Sequence, residues 1–129
     1  SWIKPEARDT LIANIQAMNR KVNQANGTLY LMTYLLPGDA AGKLWPNAAR
    51  EIEKSREYQG IGNQLIRTIA LSNNIPLIDI EQYAEAPRKW DDNWFMDHIH
   101  PTQVGHKSIA ETTLKWLSVH GELPVNLGY

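Results

Sequence analysis

The chain has 129 residues, enough for one domain, and its 43% hydrophobic and 21% charged residues fit a folded globular protein rather than a disordered or collagen-like one. Thirteen Lys+Arg stand against fourteen Asp+Glu, with no basic block to follow a nucleic-acid backbone and no apolar run long enough to span a membrane. The absence of cysteine excludes a disulfide scaffold and any thiolate metal site, and leaves the compartment open.

Ser1-Trp2-Ile3-Lys4-Pro5 is neither a signal peptide nor a start methionine, so the expectation is that the chain begins inside a longer precursor. Pro5 suits the first position of a helix, and Leu11, Ile12, Ile15, Met18 and Val22 recur at helical spacing over residues 6–24. Asn26-Gly27 stops that helix. Thr28-Leu29-Tyr30-Leu31-Met32-Thr33-Tyr34 is a nearly continuous apolar run that reads as a central parallel strand, ended by Leu35-Leu36-Pro37-Gly38-Asp39. Residues 40–55 have no single reading; Trp45-Pro46-Asn47 looks like a turn into a short helix. A second long helix is expected over residues 56–73, with Ile61, Leu65, Ile66, Ile69 and Ala70 on its core face and Asn73-Asn74 closing it. Ile75-Pro76-Leu77-Ile78-Asp79-Ile80 reads as a short buried strand whose early proline a strand tolerates. Residues 81–96 form a long polar connection of the kind that often has a function. Thr102 can cap a last helix with Val104, Ile109, Ala110, Thr113, Leu114 and Leu117 on its core face, and Gly121 ends it.

Alternating helices and strands imply an α/β fold with a parallel sheet, whose ligands sit beyond the carboxyl ends of the strands. The second strand's exit leads to Asp97-His98-Ile99-His100-Pro101-Thr102. Asp97 lies three residues before His100 and can reach its Nδ1, fixing the tautomer so that Nε2 faces a substrate. The bland alternative is that Asp97 and His100 merely cross-link the loop. A metal reading competes, because His98 and His100 alternate next to Asp91, Asp92 and Asp97, although only His106 and His120 remain as further histidines. His98 is better read as a neighbour that can line the cleft. Paired acids for glycoside hydrolysis are a further option for Asp91, Asp92 and Asp97; a solvated turn is favoured for Asp91-Asp92. Trp90, Trp94 and Phe95 read as loop-anchoring packing or, for Trp94, as a ligand-facing wall. Asp79 caps or pairs at its strand's end. No cofactor is implied.

Asp97-x-x-His100-Pro101-Thr102, followed by Gly105-His106 and a helix, resembles the last motif block of the SGNH (GDSL-type) hydrolases, esterases and acylhydrolases with a flavodoxin-like three-layer α/β/α fold. The flanks match in order: a helix, a strand ending in Tyr-Leu-Leu-Pro, a long helix containing Asn63, then Ile-Pro-Leu-Ile-Asp-Ile. The resemblance covers nearly the whole chain and makes residues 1–129 the C-terminal part of one such domain. It implies His100 as general base and acid and Asp97 as the residue that orients it. The family's Gly-Asp-Ser nucleophile and Gly-x-Asn-Asp oxyanion motifs are missing from this sequence. Ser55, Ser72, Ser108 and Ser118 fall in helical stretches. Gly60-Ile61-Gly62-Asn63 follows the wrong strand and lacks the Asp.

A base without a nucleophile catalyses little. The expected partner is therefore an N-terminal segment or separate chain that supplies the serine and oxyanion donors, acting on an ester substrate, with an acetylated carbohydrate suggested by the Trp-bearing loop. Two parallel strands make a poor sheet, which also calls for a further strand beside residues 28–34. A non-catalytic binding module that keeps the fold is the second reading, and a metal hydrolase using Asp97, His98 and His100 the third.

Overall fold

A computed structural model describes residues 3–36, 46–83, 95–96 and 100–122. Helix α1 spans Pro5–Gln24 and strand β1 Leu31–Met32. A 3-10 turn at Pro46–Ala48 runs into helix α2, Ala49–Ser72. Strand β2 is Leu77–Ile78, helix α3 is Ile80–Tyr83 and helix α4 is Gln103–Val119. The two strands are parallel, with Leu31 opposite Leu77 and Met32 opposite Ile78.

The three long helices end in the same way. Asn26, Asn74 and Gly121 have positive φ, at 57°, 51° and 71°. The residue after each donates back over a full turn: Gly27 N–H to Val22 O at 2.9 Å, Ile75 N–H to Ala70 O at 2.9 Å, and Glu122 N–H to Leu117 O at 2.9 Å. Glycine and asparagine tolerate the left-handed conformation that this Schellman closure needs, which is why these residues stop the helices. The reversal after α2 delivers Ile75 straight into the core and the chain into β2.

Side chains alternate across a strand, and the packing follows that rule. Leu29, Leu31 and Ile75 pack with Ile12 and Ile15 of α1 and Leu65, Ile66 and Ile69 of α2. Tyr30 and Ile78 pack with Ile109, Trp116 and Leu117 of α4, together with Leu35, Ile80 and Phe95. Helices thus cover both faces of the two strands.

Several expected details are corrected. The ladder within residues 28–34 is only Leu31–Met32, because β2 offers two residues to pair with. Helix α2 starts at Ala49, seven residues before the expected start at Arg56, so the turn at Pro46 opens the long helix itself. Ile61 and Val104, expected in the core, are 39% and 46% exposed. A short helix, α3, occupies the start of the connection read as loop.

Candidate active site

The geometry around His100 begins with Phe95, which is 1% exposed and sits in the cluster with Leu35, Ile78 and Ile80. Phe95 pairs antiparallel with Pro101, and Met96 N–H donates to His100 O at 2.8 Å. Pro101 is buried and His100 exposed. The backbone on both sides of residues 97–99 is therefore pinned to the core, while the imidazole stands at the surface. The next residue, Thr102, is the N-cap of α4: its Oγ1 accepts from Gly105 N–H at 3.3 Å, and its carbonyl from His106 N–H at 2.9 Å. Removing the cap hydroxyl with Thr102→Ala should lower stability by about 1 kcal/mol, read by urea unfolding.

His100 is the one proposed site residue that falls within the described residues. Asp97, His98 and Trp94 lie outside them, as do Asp91, Asp92 and Trp90. The metal reading rests on Asp97 and His98 and so lies outside them too. Ser55, Ser72, Ser108 and Ser118 are all within α2 or α4, as expected. His106 is exposed on α4. His120 has its Nδ1 2.7 Å from Trp116 O and its ring stacked on that indole, with centroids 3.8 Å apart.

A denser polar assembly sits at the carboxyl ends of the strands. Arg67 on α2 donates from Nε to Asp79 Oδ2 at 2.7 Å, and from Nη2 to Asp79 Oδ1 at 2.8 Å and Glu81 Oε2 at 2.7 Å. Thr33 Oγ1 donates to Asp79 Oδ1 at 2.8 Å, and Asn63 holds both the N–H and the carbonyl of Tyr34. Burial pushes the Asp79 carboxyl up, but the hydrogen bonds from Arg67 and Thr33 outweigh it and hold the carboxyl below its ordinary range. The bond to Asp79 in turn raises the Arg67 guanidinium above its ordinary value. Asp79 thus pairs, as expected, whereas Arg67, Glu81 and the inward role of Asn63 were not foreseen. A signal existed: Gln59, Asn63 and Arg67 are spaced by four, a polar line adjoining the apolar line Ile61, Leu65 and Ile69.

A cleft of about 950 Å³ lies between Leu77, α3 and α4, with Gln82, Tyr83, Ser108, Thr112 and Trp116 among its walls. His100 is not among them. The titratable side chains there are Asp79, paired with Arg67, Glu111, Lys115, Tyr83 and His120, whose Nδ1 lies against Trp116 O. The exposed His100 imidazole, beside the strand exits, is the better candidate for proton transfer. Among the described residues, no helix is long and apolar enough to cross a membrane.

A family model described as GDSL-like Lipase/Acylhydrolase matches residues 4–113. No curated protein and no solved structure matches the chain.

Proposed function

The chain belongs to the GDSL-like lipase/acylhydrolase family, a family of α/β fold, and we propose that it supplies the His–Asp pair of a serine esterase whose serine lies on another segment or chain. The observation that supports this most directly is the setting of His100: exposed, beyond the strand ends, and fixed by Met96 on one side and the Thr102 cap on the other. The full domain would be a flavodoxin-like three-layer α/β/α sandwich, with residues 1–129 as its C-terminal part.

The reaction is acyl transfer to water. His100 takes the proton of the attacking serine hydroxyl, which adds to the ester carbonyl. The same imidazole then protonates the leaving alcohol, and a water repeats the cycle on the acyl-enzyme. Asp97 orients the ring and stabilises the imidazolium. Donors from the serine-bearing segment hold the oxyanion. Trp94 and His98 face the substrate, for which an acetylated carbohydrate fits an indole wall.

Among the described residues no strand lies along the second edge of β1, and this supports docking of that segment. Leu31 N–H bonds Pro76 O and Thr33 N–H bonds Ile78 O, so the N–H and carbonyl of Met32 point away from β2. Met32 and Tyr34 are 43% and 42% exposed. Gln59 Oε1, one helical turn before Asn63, is buried without a hydrogen-bond partner, a state that calls for a donor. The lack of Gly-Asp-Ser in the sequence also supports a second reading, a binding module without a nucleophile. Adding a segment with Gly-Asp-Ser and Gly-x-Asn-Asp motifs to the chain separates the two. The esterase reading expects hydrolysis of a short-chain aryl ester; ligand binding without hydrolysis establishes the module.

A further inference from the structure

Two strand exits and one helix meet in a polar cluster that leads, contact by contact, to His100. Asn63, 3% exposed on α2, accepts Tyr34 N–H on Oδ1 at 2.7 Å. Its Nδ2 donates to Tyr34 O at 2.8 Å and to Glu81 Oε2 at 2.9 Å. One carboxamide therefore joins the exit of β1 to the start of α3. Thr33 makes the same crossing. Its Oγ1 donates to Asp79 Oδ1 at 2.8 Å and accepts from Glu81 N–H at 3.0 Å.

These polar ties alternate along the chain with apolar anchors. Leu35 follows Tyr34, and Ile80 lies between Asp79 and Glu81. Both are 1% exposed and share a cluster with Phe95, also 1% exposed. Phe95 pairs with Pro101, and the neighbouring Met96 N–H holds His100 O. Leu35 and Ile80 can form a fixed seat for Phe95 only while the two exits keep their spacing. Interiors are close-packed, so a shift of either exit is felt at the Phe95 ring that shares their cluster.

From this path we infer that Asn63, together with Thr33, is a positioning residue for His100. It acts through Leu35, Ile80 and Phe95 rather than on the substrate. The inference rests on His100 being the esterase base. An apolar replacement of Asn63 leaves the N–H and carbonyl of Tyr34 without that partner and removes one of the two ties between Glu81 and the exit of β1, leaving the bond from its N–H to Thr33 Oγ1.

Amide exchange in the intact 129-residue chain reads the effect without any substrate. Asn63→Leu should speed exchange of Met96 N–H at least about tenfold relative to Leu31 N–H, which lies in the strand ladder. Thr33→Val, nearly isosteric, should act in the same direction and serves where Asn63→Leu does not fold. In the esterase reconstituted with the serine segment, kcat should fall about tenfold or more with KM little changed, the mark of a misplaced base. Equal acceleration at Met96 and Leu31, or none at Met96, overturns the inference. So does full esterase activity in a variant whose Met96 amide has loosened. Selective loosening at Met96 in a chain that gains no hydrolysis from the serine segment sustains the positioning of the His100 turn and refutes the esterase reading.

Discussion

His100→Ala should lower kcat of the reconstituted esterase by at least about 10³-fold while KM stays within a few-fold. The magnitude follows from the role. A serine hydroxyl is a poor nucleophile until a base removes its proton, and the alcohol is a poor leaving group until an acid supplies one. One imidazole does both, so its loss removes two proton transfers and leaves only binding and oxyanion stabilisation. The fold should survive, because the His100 side chain is exposed and the bond from Met96 is made to its backbone carbonyl, which alanine retains. Equal thermal midpoints with lost turnover would locate the effect in chemistry. His106→Ala and His120→Ala serve as controls and should leave turnover unchanged. The first ring is exposed on α4, and the second is occupied by Trp116 O and the indole face. Turnover that persists in His100→Ala would remove the triad reading altogether.

Helix ends and the cap that follows His100 were legible in the sequence because both are local. Asn26, Asn74 and Gly121 stop helices through their own backbone preference, and Thr102 caps one through its own hydroxyl. Strand extent was not legible, since a ladder depends on its neighbour. The apolar run over residues 28–34 could have paired over its whole length, but two residues of β2 set the limit. Helix α2 misled for a different reason. Its 24 residues span about 36 Å, far more than strands of two residues, so much of it faces the strand exits instead of the sheet. There the inward positions are Asn63 and Arg67, which bind backbone and carboxylates, while Ile61 points outward. Apolar periodicity alone assigns the wrong phase to such a segment. Asp79 was visible as a strand-end acid, but its partner Arg67 lies twelve residues upstream and is identified only by the crossing of helix and strands.

That pairing makes Arg67→Met the substitution with the largest expected effect on stability. The Arg67 side chain is 27% exposed and that of Asp79 only 7%. Removing the guanidinium strands a desolvated carboxylate that keeps only its bonds from Thr33 and the Gln82 N–H. Breaking a fully buried pair costs about 3–5 kcal/mol, and the partial exposure of Arg67 puts the expected loss at about 2–3 kcal/mol by urea unfolding at pH 7. Asp79→Asn in the Arg67→Met background should recover part of that loss, because it removes the unpaired charge rather than the pair. Acid provides an independent check of the cause. In the wild type the Asp79 carboxyl is held below its ordinary value, so its contribution is intact above about pH 4 and fades as pH falls through the lowered value. Without Arg67, burial is the main remaining influence and raises the same carboxyl, so the variant recovers stability as acid neutralises it. Both trends narrow the gap between the two proteins as pH falls. A gap that stays constant from pH 7 to below about 3 would mean that Arg67 stabilises through its aliphatic packing rather than through Asp79.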